Sequence, residues 1–408
     1  MPVTHETERR ANNSTHTAST SVVLIKKVME ESDFGDILDD WFIESLKTYK
    51  DLHVYQLEFP TKVIEWTSGK TICVAGDSLT KNDILELSLP PKLFAEVNKG
   101  LCAERDFKVV HGGFTQGPVS DLKHIPGTRL AVTSDGLTSD LPVWDLGGED
   151  SDVITRTASI KGTQNAQGGG VKMAAPRSTQ PAILHGTRSG DIRLTCLPTG
   201  QCIYDRASDS ADLLSSLHFV SEVVFLAACT NGNVHTVDTR TSSSPQVAPL
   251  TIPAIDSSSL WWTDALPGVS GYRLVRVSST GRAVVSDLRK PADVVCQAQL
   301  EVQTQERRHL RPGDVTVRWA PSLEDTVSVS GFGGDVQIYN SASWGAEPTG
   351  VKPLFEHRGH TVSVQQSHGD APVVVTAHVW HHEQARTLLS AASDGSLHVW
   401  DWIDPSAG

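Results

Sequence analysis

Ser393-Asp394-Gly395-Ser396-Leu397-His398-Val399-Trp400-Asp401 reads as a tight turn that feeds a strand. Asp-Gly supplies the turn chemistry, apolar residues then alternate with polar ones, and a Trp-Asp pair closes the run. Val143-Trp144-Asp145 ends an upstream stretch with the same pair. Degraded copies recur at Asn231-Gly232-Asn233-Val234-His235-Thr236-Val237-Asp238, at Thr280 to Asp287, and at Gly333 to Asn340. A weaker copy runs from Ser189 to Leu194. A unit repeated in this way cannot bury its apolar face alone, so the copies must stack into one continuous core.

Strand sets end near Leu89, at Asp145, near Cys196, and at Asp238, Asp287, Asn340 and Asp401, which makes seven. The last six endings are 51, 42, 49, 53 and 61 residues apart. A minimal repeat of the WD kind runs about 40–45 residues, so the excess is placed in turn-rich insertions. These fall at Gly162 to Gln180, Thr241 to Pro245, Gln303 to Gly313 and Ser341 to Gly350. The fold expected is all-β: a seven-bladed WD40 β-propeller over residues 51–404. The final set lacks an outermost strand, because the chain stops soon after Trp402-Ile403. Leu52 to Leu57 alternates cleanly and is left over at the other end. Pairing the two would close the ring and remove an open sheet edge.

Ahead of the ring, residues 1–35 are polar and lack periodicity, the composition of a disordered extension. Residues 36–50 read as a short amphipathic helix, with Asp39 or Asp40 as cap and Trp41, Phe42, Leu46 and Tyr49 at three- and four-residue spacing. Hydrophobic residues are 38% and the net charge is −13. That charge repels nucleic acid and anionic membrane and suits a basic protein surface. No apolar run approaches a membrane span. Six cysteines without C-x-x-C spacing point to a reducing compartment rather than a disulfide framework.

Four clusters carry candidate chemistry. His360, Ser390, Asp394 and Trp400 have the residue types of a hydrolase triad but also those of a buried hydrogen-bond chain in one blade. The structural reading is favoured, since nucleophilic catalysis needs an exposed hydroxyl beside an oxyanion hole. His378-Val379-Trp380-His381-His382 is the densest histidine run. It reads as a strand end rather than a zinc site, because its side chains face opposite ways and no cysteine is near in sequence. Acids from Glu30 to Glu44, including Asp39 and Asp40, form either a solvated arm or a patch for a basic partner. Arg105 to Phe114, with Arg105, Phe107 and Phe114 as anchors, is either an interface hot spot or, as favoured, the outer strand of the first blade. No phosphate-binding loop, dinucleotide fingerprint or H-E-x-x-H occurs, so neither cofactor nor metal is implied.

From Asp39 onward the chain resembles the WD repeat-containing protein 73 family. The resemblance rests on Asp40 to Leu46, Arg105 to Phe114, Asp121 to His124, Glu149 to Ile154, Pro353 to His360 and Ser396 to Trp402. It implies a non-enzymatic cytoplasmic scaffold that is monomeric outside its complex. The implied partners are the two metallo-β-lactamase-like subunits of the Integrator RNA endonuclease module. The implied role is to hold that pair and cover its active site before nuclear import. An alternative implied by the same resemblance is a cytoskeletal adaptor at spindle poles and the cleavage furrow, meeting microtubule-associated proteins. No contact residues transfer with it; Trp41 and Glu44 join the interface candidates on position alone.

Overall fold

The computed structural model describes residues 41, 43–76, 78, 82–90, 106–162, 170–205, 210–241, 246–250, 259–268, 271–302, 310–311, 313–362 and 372–403. Its first strand, β1 (Tyr49–Gln56), belongs to the last blade. Blade one is β2 (Thr61–Trp66), β3 (Thr71–Gly76), β4 (Asn82–Ser88) and β5 (Lys108–Thr115). Blade two is β6 (Asp121–His124), β7 (Leu130–Ser134), β8 (Leu141–Asp145) and β9 (Thr155–Ile160). Blade three is β10 (Lys172–Ala174), β11 (Ala182–Gly186), β12 (Arg193–Cys196) and β13 (Cys202–Asp205). Blade four is β14 (Leu214–Phe219), β15 (Val224–Cys229), β16 (Val234–Asp238) and β17 (Gln246–Ala248). Blade five is β18 (Trp261–Gly268), β19 (Gly271–Ser278), β20 (Arg282–Asp287) and β21 (Lys290–Leu300). Blade six holds β22 (Thr316–Trp319), β23 (Thr326–Ser330) and β24 (Val336–Asn340), and after β25 (Thr349–Val351) it is completed by β26 (Phe355–His357). One helical turn, Gly359–Val362, precedes β27 (Val375–Trp380), β28 (Thr387–Ala392) and β29 (Ser396–Trp402) of blade seven.

Among the described residues, seven sheets, antiparallel except for one added strand in blade five, therefore stand as blades of a propeller. The innermost strands touch in chain order, β2, β6, β10, β14, β18, β22 and β27, and β27 returns to β2. Among the described residues the apolar side chains form seven clusters, one at each blade junction. Strands buried on both faces explain runs such as Thr387–Ala392, where every residue is buried.

The ring closes as the leftover strand suggests. β1 pairs antiparallel with β29, with Leu52 opposite Trp400, Val54 opposite His398 and Gln56 opposite Ser396. Tyr55 is buried and sets its ring edge-on to Phe107, 4.6 Å away, sealing the junction of blades seven and one. Gly395 sits at φ +84°, where a Cβ would lie 2.7 Å from the carbonyl oxygens of both Leu57 and Phe59. The Asp-Gly turn thus fits glycine alone, and the arriving β1 chain packs onto it.

Two boundaries differ from the sequence reading. Helical backbone is described at Trp41 and 43–48, and Tyr49 and Lys50 already belong to the closing strand. Tyr49 leaves the helical pattern because it is buried against Phe355 and donates to or accepts from His357 at 2.7 Å, so tertiary burial overrides local spacing. The Ser341 to Gly350 insertion ends in β25, which adds a fifth, parallel strand to blade five by pairing Ala298 with Thr349. The expected disordered extension, residues 1–35, lies outside the described residues, as do Asp39, Asp40 and Arg105.

Candidate interaction surface

The triad-like set of blade seven is a directional hydrogen-bond chain with five members. Trp400 Nε1 donates to Ser390 Oγ at 3.1 Å, and Ser390 Oγ meets His360 Nε2 at 2.8 Å. His360 Nδ1 meets Ser396 Oγ at 2.6 Å, and that hydroxyl donates to Asp394 Oδ1 at 2.6 Å. Since Ser396 gives its proton to Asp394, His360 must carry its own on Nδ1, which leaves Nε2 to accept from Ser390. Ser396 is the member that sequence reading missed; Asp394 bonds the imidazole only through it. His360, Ser390 and Trp400 are fully buried, and burial holds the His360 pKa well below the usual range. A sealed, neutral imidazole between packed strands ties the blade together and offers a substrate no approach.

The His378 to His382 run is divided among neighbours. His378 bridges Ser328 and Ser330, both at 2.7 Å, and Trp380 Nε1 donates to Ser328 Oγ at 2.8 Å, so this pair staples blade seven to blade six. His381 Nδ1 accepts from the backbone of Glu383 and Gln384, while the His382 ring lies 4.7 Å from Trp66. The three imidazoles do not converge.

At the junction of blades one and two, Glu86 is almost fully buried on β4. Thr67 donates to it at 2.6 Å, His111 lies at 2.7 Å, and the Arg129 guanidinium grips both oxygens at 2.9 and 2.5 Å. Burial alone would raise its pKa; hydrogen bonds from Arg129, Thr67 and His111 outweigh that and hold it at about 2. His111 comes from the Arg105 to Phe114 stretch, of which Lys108 to Phe114 lie in the outer strand β5. Phe107 is a core residue, pinned against Tyr55, and not part of an exposed face. Phe114 stays 56% exposed on the outer edge.

The central channel opens into a cavity of about 400 Å³ lined by charged residues of the inner strands. Its lining mixes Lys62, Lys123, Lys172 and Arg318 with Glu65 and Asp121, and three of the cations have acids nearby: Lys123 with Glu65 at 3.1 Å, Lys62 with Asp314 at 3.7 Å, and Arg318 with Asp264 at 3.5 Å. Such a lining gives no single sign for a charged ligand to follow. A second cavity, of about 590 Å³, lies on the flank where the chain enters the ring. Trp41 and Glu44 of the helical segment form one wall, Tyr49 and Phe355 the floor, and Glu301, Glu356 and Arg358 the polar side. Arg358 donates to Glu356 at 2.5 Å, and with Glu44, Glu301 and Lys352 also lining the groove, three acids face two bases beside an aromatic floor. This suits a partner segment that carries a cation on an apolar stem. Of the interface candidates, Trp41 and Glu44 are brought together here, while Phe114 stands apart on blade one.

No protein-family model matches the chain. A protein of Danio rerio named Integrator complex assembly factor WDR73 is 46% identical over 378 residues, covering 91% of this chain and 98% of the relative. The protein of the same name in Homo sapiens is 37% identical over 379 residues, covering 90% and 98%. That of Xenopus laevis is 38% identical over 365 residues, covering 89% and 97%.

Proposed function

This chain belongs to the WD repeat-containing protein 73 family, and from that premise we propose that it is an assembly factor for the Integrator complex that works by contact rather than by catalysis. Its partner in this reading is the RNA endonuclease module, held as a pair of metallo-β-lactamase-like subunits in the cytoplasm. The propeller stabilises the pair and lies over its active site until nuclear import. The observation that carries the reading is a match along nearly the whole length of relatives named for that assembly role. Physical support comes from the charge of −13, which is attracted to a cleft that evolved to hold RNA phosphates. A rigid closed ring also costs little entropy on docking.

Affinity capture of the tagged full-length chain from cytoplasmic extract tests this. Both nuclease subunits are expected in the eluate, with recovery falling steeply as salt rises. Recovery of neither subunit at low salt would overturn the reading.

A further inference from the structure

Blade four lacks the hydrogen-bond chain that ties blade seven. Aligned on their turns, Asn231 to Asp238 matches Asp394 to Asp401, which puts Val237 where Trp400 stands and His235 where His398 stands. His235 pairs across the sheet with Ala227, as His398 pairs with Ser390. Neither the serine nor the tryptophan of the chain is present. In their place three metal-ligating groups meet. Asp212 enters from the segment before β14, Cys229 is the last residue of β15, and His235 is the second of β16.

The Asp212 carboxylate, Cys229 Sγ and a His235 ring nitrogen all lie within 4.8 Å of one another. His235 is 6% exposed and its Nε2 has no hydrogen-bond partner. Asp212 Oδ2 is 3.9 Å from that nitrogen, beyond hydrogen-bond reach. An orphaned buried polar atom aimed at a carboxylate and a thiol is costly unless something binds between them. We propose that Asp212, Cys229 and His235 bind one zinc-class dication that fastens the entry of blade four to its β15–β16 turn.

The donor set selects the metal. A thiolate is soft, an imidazole borderline and a carboxylate hard, which suits zinc and disfavours calcium or magnesium. Tetrahedral bonds of about 2.0–2.3 Å place donors roughly 3.3–3.7 Å apart, so the three groups, now within 4.8 Å of one another, draw together by at most about 1.5 Å on binding. Asn233 Nδ2 donates to Asp212 Oδ2 at 3.1 Å and orients the carboxylate from outside, as outer-shell partners do. Cys229 is fully buried, whereas the Asp212 side chain is 32% exposed, so metal enters and a water completes the coordination on the Asp212 side. As the metal binds, the Sγ–H bond breaks, the sulfur pair becomes the metal bond, and the proton passes to solvent. The other close histidine group, His357, His360 and His398, is different: both nitrogens of His357 and of His360 already have partners.

The test uses the full-length chain, stripped with chelator and titrated with Co²⁺ and then Zn²⁺. About one Co²⁺ per chain is expected, with a thiolate-to-cobalt charge-transfer band that Zn²⁺ abolishes. The band should vanish in Cys229→Ser and persist in Cys202→Ser, which removes an exposed thiol. Asp212→Asn leaves the buried Cys229 thiol in place and alters only a partly exposed side chain, so it should fold and bind at least tenfold more weakly. Zinc should raise the melting temperature of the unaltered chain and not that of Asp212→Asn. Failure of the unaltered chain to bind stoichiometrically, loss of the band in Cys202→Ser, or undiminished affinity in Asp212→Asn would each overturn the site.

Discussion

Replacing Tyr55 by alanine tests whether the incoming β1 strand holds the ring shut. Tyr55 is 5% exposed and packs on Phe107 at a centroid distance of 4.6 Å among Leu87, Leu389 and Leu397. An aromatic side chain buries about 150–250 Å², worth about 4–6 kcal/mol at 25 cal/mol per Å². Compaction of the unfolded chain trims that by about 10–40%, to about 3–5 kcal/mol, in line with measured aromatic-to-alanine losses. With about 2.1 cal/mol/K of unfolding entropy per residue, a ring of roughly 350 residues should lose about 4–7 °C of melting temperature. Loosened β1 also bares the edge of β29, so aggregation on heating should begin earlier. The control is Leu137→Ala, at a 68% exposed turn position in blade two, expected within about 0.5 kcal/mol of the parent. Thermal scans at one protein concentration and scan rate compare the two. A Tyr55→Ala shift no larger than that of Leu137→Ala would refute closure by this strand.

Glu86→Gln should cost about 1–3 kcal/mol, because the amide cannot complete the Arg129 fork and Arg129 is itself 41% exposed. The Glu86 pKa falls from 4.5 unfolded to about 2 folded, so its contribution is complete above about pH 4.5 and fades as pH drops toward 2. Melting temperatures between pH 5 and 2 should therefore fall less steeply in Glu86→Gln than in the parent. Tyr49→Phe removes the hydroxyl beside His357 Nδ1 and leaves that nitrogen buried without a partner. A loss of about 1–3 kcal/mol in urea unfolding is expected, and an unchanged midpoint would contradict the contact. Burial and the neighbouring Glu356 carboxylate push Asp335 up to about 7, so ionising it costs stability as pH rises from about 4 through 7. Asp335→Asn should accordingly raise the melting temperature at pH 8 more than at pH 5.

Legibility in the sequence tracked how local each signal was. β8, β12, β16, β20 and β24 end at Asp145, Cys196, Asp238, Asp287 and Asn340, the residues that close the repeats by turn chemistry and alternation. Closure by the first strand was legible too, because a missing strand and a surplus strand stood at opposite ends. What escaped depends on register between distant segments. β25 joins blade five in parallel, and neither its composition nor its spacing announces that pairing. Asp152 to Ile154 bonds Gly112 at the edge of blade one for the same reason. Ser396 entered the His360 chain unseen, since a serine after Asp-Gly also reads as an ordinary turn residue. The candidate interface residues are the least legible part: Phe107 reads as an anchor but is buried against Tyr55, whereas Trp41 and Glu44 line a groove that Phe355 and Glu356 complete from blade six.

Cross-linking mass spectrometry of the full-length chain mixed with the two nuclease subunits proposed as its partners tests the proposed occlusion by a closed ring most directly. Propeller loops should link to residues that rim the catalytic cleft, and RNA cleavage by the module should fall as the chain is added. Links confined to surfaces remote from the cleft, with cleavage unchanged, would contradict it.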